Sequence, residues 1–107
     1  MSKKVLGQSN PSAVTATTLY TVPASKEAVI SSISVCNLAS SSATYRIAIR
    51  PAGATLASVH YLAYDVTVGA SDSTVLTLGI TLATTDVVTI YASTANVSFS
   101  AYGSEIS

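Results

Sequence analysis

The chain is expected to fold as one all-β domain, a β-sandwich of jelly-roll type with about eight short antiparallel strands, and three observations carry that expectation. Apolar residues recur at every second position through most of the sequence, and no long stretch keeps the period of a helix. Turn-forming clusters of Gly, Pro, Asn, Asp and Ser break the alternation at intervals suited to short strands. At 107 residues the chain suits one domain, residues 1–107, with one modest core.

The elements follow in order. MSKKVLGQSN precedes a turn at SNPS (9–12), so residues 1–10 are expected to form an N-terminal arm. A strand over 18–22 ends at Pro23, which has no N–H to give to a ladder. EAVISSISVCNL (27–38) is rich in Val and Ile with both faces partly apolar, the pattern of a strand in the middle of a sheet. ASSS (39–42) is a loop. In TYRIAIRP (44–51), Tyr45, Ile47 and Ile49 face the core while Arg46 and Arg50 face away, and PAGA (51–54) turns the chain. Over 60–68 the even residues His60, Leu62, Tyr64 and Val66 read as the more buried face. Residues 73–82 alternate most cleanly, with Leu76, Leu78, Ile80 and Leu82 inward and Gly79 marking a bulge or a close neighbour. Segments 87–93 and 97–102 flank the turn TAN and are expected to form a hairpin.

Composition excludes several classes of partner. Charged residues are 9% of the chain and the formal net charge is zero, so the electrostatic footprint for nucleic acid or an anionic membrane is absent. No apolar run approaches the ~20 residues of a membrane-spanning helix. Two lysines near the start are not followed by an apolar signal-peptide core, and synthesis in a cytoplasm without Sec export is expected. Cys36 is the only cysteine, which rules out an intrachain disulfide and suggests a buried, inert thiol. Ser, Thr and Ala stand where a free monomer would carry Lys, Glu and Asp, a surface suited to burial in a homo-oligomer.

Candidate sites are few. His60, Tyr61, Tyr64 and Asp65 form the one cluster with acid–base or metal-ligand character, but one His and one Cys cannot supply a metal cage or a nucleophile–base pair. No reaction, catalytic residue, metal or cofactor is expected. The aromatic cluster reads instead as packing on the core or on a neighbouring subunit. Arg46 and Arg50 lie roughly 13 Å apart on one strand face, too far to clamp one carboxylate. They read either as a solvated sheet face or as intersubunit partners of Asp65, Asp72, Asp86 or Glu105 of a neighbour, in both cases with little effect on the stability of the isolated fold. The interface set is therefore Arg46, Arg50, His60, Tyr61 and Tyr64.

The stretch TLYTVPASKEAVISSISVCNLASSSATYRIAIRPAGA, together with HYLAYD, LTLGITLATTDVVTIYAS and the terminal FSAYGSEIS, resembles small virion-associated proteins of tailed bacteriophages, of the kind found in phages of cyanobacteria and marine bacteria. None of these is a catalytic motif. The resemblance implies a virion part: a capsid decoration (cement) protein bound to the major capsid protein as a homo-oligomer, a trimer by analogy with other decoration proteins. Its alternatives are a tail, baseplate or fibre-attachment component, and a sandwich that reads host glycan through Tyr61, Tyr64 or Tyr91.

Overall fold

The computed structural model describes residues 3–106. Eight strands, β1 (Lys3–Ser9), β2 (Thr17–Thr21), β3 (Glu27–Asn37), β4 (Ala43–Arg50), β5 (Tyr61–Val68), β6 (Ser73–Leu82), β7 (Val87–Ala92) and β8 (Val97–Ile106), form two four-stranded antiparallel sheets. One has the order β1-β8-β3-β6, the other β2-β7-β4-β5. The chain crosses between sheets at almost every connection, and only β4 and β5 are both consecutive and paired. This connectivity is that of a jelly roll, and the expected β-sandwich is the observed fold.

The inner faces meet in one core. Ile30, Ile33 and Val35 of β3 and Val97, Phe99 and Ala101 of β8 pack against Tyr45 and Ile47 of β4 and Val88, Ile90 and Ala92 of β7. Tyr45 and Phe99 touch edge to face across the sandwich, their ring centroids 6.3 Å apart. The inward residues of β3 change phase between Ile30 and Ile33 because a bulge opposite β8 places an extra residue there. Asn37, buried at the end of β3, donates from Nδ2 to the carbonyls of Ser41 and Gly69 and accepts the Ala39 N–H at Oδ1. One polar side chain thereby joins three chain segments.

Four expectations are corrected. Residues 3–9 are not an arm: they pair along β8 from Lys3–Ser104 to Ser9–Phe99 as the edge strand β1. Segments β7 and β8 do not form a hairpin, because the turn between them crosses the sandwich. Ser93 N–H donates to Thr44 of one sheet, while the Asn96 carbonyl accepts from Leu38 at the end of the other. On β5 the even residues are not the buried face. Leu62 and Tyr64 are more than half exposed while Ala63 packs on the core, and the even residues turn inward only past the bulge, at Val66 and buried Val68. Two bulges opposite β4 break the alternation, one between the Tyr45 and Ile47 pairings and one between those of Ile47 and Ala48. Cys36 is also only half-buried rather than in the core.

Candidate interaction surface

The bulges on β5 build the most distinctive feature of the outer surface. Arg46 lies directly opposite Tyr91 of β7 in register. On its other flank, Tyr45 pairs with Val66 and Ile47 with Ala63, so Tyr64 and Asp65 together stand opposite Arg46. Asp65 takes φ 52° to fit, a left-handed conformation that Asp tolerates better than most residues. The Arg46 guanidinium is consequently held between two rings, 4.1 Å from the centroid of Tyr64 and 4.1 Å from that of Tyr91. Its Nε donates to Asp65 Oδ1 at 2.6 Å and its Nη2 to Oδ2 at 3.3 Å. Tyr61 completes the row, meeting Tyr64 edge-on with centroids 4.9 Å apart.

Charge in this row is internally balanced. The hydrogen bond from Arg46 holds the Asp65 carboxyl below its ordinary value, and the same bond raises the guanidinium above its own. What the row offers outward is aromatic surface: Tyr64 stays 57% exposed despite its contact with Arg46. Beside it, Leu56, Ala57, Ser58, Tyr61 and Tyr64 line an open cleft of about 520 Å³.

The other expected site residues go elsewhere. Arg50 donates from Nε to Thr89 Oγ1 at 3.0 Å and from Nη1 to the carbonyls of Gly53 and Ala54. Asp86 adds to this anchor, its Oδ1 accepting from Ala52 N–H at 2.8 Å. Together they hold the 3-10 turn Pro51–Gly53 over β7, which explains why Val87 and Thr89 on the outer side of β7 are buried. His60 Nδ1 accepts the Ala57 N–H at 3.0 Å and closes the turn Ser58–His60.

Arg46 and Arg50 therefore do not form one site. Asp65, expected to meet Arg46 from a neighbour, does so within the chain, and Arg50 donates to Thr89 of β7 and to the carbonyls of its own turn. The structure brings together Arg46, Tyr61 and Tyr64 from the expected set and adds Tyr91, read from the sequence only as a sugar platform. The β4–β7 pairing that places Tyr91 beside Arg46 has no local signal, since the two strands are far apart in the chain.

Among the described residues, no group of three or more His, Cys, Asp and Glu side chains could hold a metal ion. Nor is any helix among them long and apolar enough to cross a membrane. No family model matches the chain, and neither the curated proteins nor the solved structures give a match.

Proposed function

We propose that this chain is a bacteriophage virion structural protein, a jelly-roll module that decorates the capsid lattice as a homo-oligomer, bound to the major capsid protein. The observation that carries the reading is the outer row Tyr61–Tyr64–Arg46–Tyr91. Interfaces concentrate Tyr and Arg at their energetic centres, and here the rings are fixed by the ion pair and by each other. Such a surface loses little side-chain freedom on docking. The likeness to virion-associated proteins through YRIAIRPAG, HYLAYD and LTLGITLATTDVVTIYAS spans the strands that build this row. A low charge content suits a part that stays in contact with neighbours.

The test is binding to particles that lack the protein. Purified chain is expected to saturate them at hundreds of copies per virion, and Tyr64→Ala with Leu62→Ser to lose binding with no more than a slight drop in melting temperature. Saturation at a few to dozens of copies transfers the reading to a tail, baseplate or fibre-attachment part; no binding to head or tail ends it. The cleft beside Tyr61 and Tyr64 favours one second reading, a glycan site, because its volume lies within the usual range of about 300–1,000 Å³ for small-ligand pockets. Titration with host-surface saccharides, followed by tyrosine fluorescence, checks it.

A further inference from the structure

β4 and β5 are neighbours both in the chain and in the sheet, and a hairpin between such strands needs only about two to five residues. The chain instead runs from 51 to 60 before β5 begins. Both ends of this excursion are fastened. Arg50 and Asp86 hold Pro51–Gly53, and the bond from Ala57 N–H to His60 Nδ1 closes Ser58–His60. Between these anchors, Leu56, Ala57 and Ser58 supply one wall of the open cleft, and Tyr61 and Tyr64 of β5 supply the other. A wall fixed in this way serves a binding site, whereas a simple reversal of the chain does not need one.

The chemistry of the cleft restricts its ligand. No lining residue carries a charge. Arg46, which lies against Tyr64, is already bonded to Asp65, so an anion finds no free counter-charge there. The same guanidinium covers one face of Tyr64, and a second cation on that ring would meet its repulsion. A neutral ligand remains. Two tyrosine rings and Leu56 offer it apolar surface, while Ser58, Tyr61 and Tyr64 bring hydroxyl groups. Among the described residues, the side-chain hydrogen bonds of this neighbourhood belong to Arg46, Arg50 and His60, which leaves the three hydroxyls to a ligand. Hydroxyls both donate and accept, and they match a ligand that does the same along its edge. A proline-rich peptide, the other common guest of aromatic grooves, offers acceptors at its prolines and no donors.

We infer that the cleft binds an uncharged saccharide, with a pyranose ring against Tyr61 and Tyr64 and its hydroxyls on Ser58, and that His60 is a positioning residue that holds the wall through Ala57. This deepens the glycan reading above and rests on it. Particle binding is tested separately, so the decoration reading does not depend on the outcome.

The experiment is an NMR titration of the full chain that follows the ring signals of Tyr61 and Tyr64. The neutral probes are maltose and lactose, the anionic probes glucuronate and sialyllactose, the cationic probe glucosamine and the peptide probe decaproline. A neutral probe is expected to shift both tyrosines and to bind at least about tenfold more tightly than any charged one. Ser58→Phe, at an exposed position, fills the cleft without entering the core and is expected to weaken binding about tenfold or more at an unchanged melting temperature. His60→Ala is expected to weaken it several-fold and His60→Asn to restore it, since an Asn Oδ1 can accept the Ala57 N–H. Val75→Ser, on β6 of the other sheet, is expected to bind like the parent. Charged saccharides that bind as tightly as neutral ones overturn the inference and leave the glycan reading standing. No response to any saccharide, or a response to decaproline alone, overturns both. Binding indifferent to Ser58→Phe overturns the site, and an inert His60→Ala or an Asn variant that fails to rescue overturns the positioning role.

Discussion

The two sides of the sandwich are built differently. On one side β1 and β2 close the gap between the sheets. Gly7 passes so near β2 that any Cβ there would collide with the Leu19 carbonyl. Glu105 of β8 reaches across to accept from Tyr20 Oη of β2 at 2.6 Å, and pairs with Lys4 at 2.7 Å and more distantly with Lys26. On the other side β5 and β6 leave the inward residues Leu76, Leu78 and Ile80 partly open, and Val66, opposite buried Tyr45, is still 39% exposed. The closed side uses backbone proximity and a shared carboxylate to finish the core. The open side leaves apolar surface at its margin, where another protein surface can complete it.

The largest expected effect separates core positions on a single strand. Leu82 is fully buried where β6 meets the core, and Leu82→Ala should cost about 2–5 kcal/mol. Leu78→Ala, at the open margin, should cost about 1–2 kcal/mol, because part of its surface already meets water. Chemical denaturation of the monomer checks both, and equal losses would show that the open side is as well packed as the rest.

A second contrast uses two glycines. Gly7→Ala forces β1 away from β2 and should destabilise by about 1–3 kcal/mol, the usual cost of overpacking. Gly79→Ala meets empty space and should change stability by no more than about 0.5 kcal/mol. If the two variants melt alike, the close approach does not hold the closed side together.

The third concerns pH. Hydrogen bonds from Lys4 and then Tyr20 hold the Glu105 carboxyl below its ordinary value, against the opposing effect of burial. A depressed folded value means that this stability is complete above the unfolded carboxylate pKa, about 4.3, and is lost as pH falls through the folded value. Asp65, held down by Arg46, contributes with the same sign. Burial, and then the bond to Glu105, push the Tyr20 phenol up. That contribution is complete below about pH 10 and is lost as pH rises further. Thermal melts should show a plateau between these limits, and Glu105→Gln should flatten the acid limb more than Asp65→Asn does, because Asp65 is the more exposed.

The smallest effect falls on the open side. Arg46→Gln removes the group between Tyr64 and Tyr91 and frees Asp65, so the melting temperature should drop slightly and the Asp65 share of the acid limb should vanish. Arg46→Lys should rescue little, since an ammonium has no planar face to lie between two rings. Full rescue would reduce the row to a simple ion pair.

Much of this architecture could be read directly. Alternation placed Tyr45, Ile47 and Leu82 in the core, and the Val- and Ile-rich run from Glu27 to Leu38 as a central strand, because side-chain direction in a strand has a period of two and needs only local sequence. The candidate surface was legible only in part. Arg46 stood out as a cation on an outward position, and Tyr61 and Tyr64 as neighbours, but strict alternation puts residues three apart on opposite faces. The bulges on β5 bring them to one side.

By itself, then, the sequence determined the class of fold, the inward rows of β4 and β6, the positions of most turns and the poverty of charge, all of which follow from local chemistry. Only the tertiary structure decided that residues 3–9 pair with β8, that β7 and β8 lie in different sheets, that Asp65 answers Arg46 within one chain, and that Tyr20 and Lys4 share Glu105. Each of these depends on which distant strands become neighbours and in what register. The jelly roll sets that by burying all the inner rows together, a condition no single segment can express.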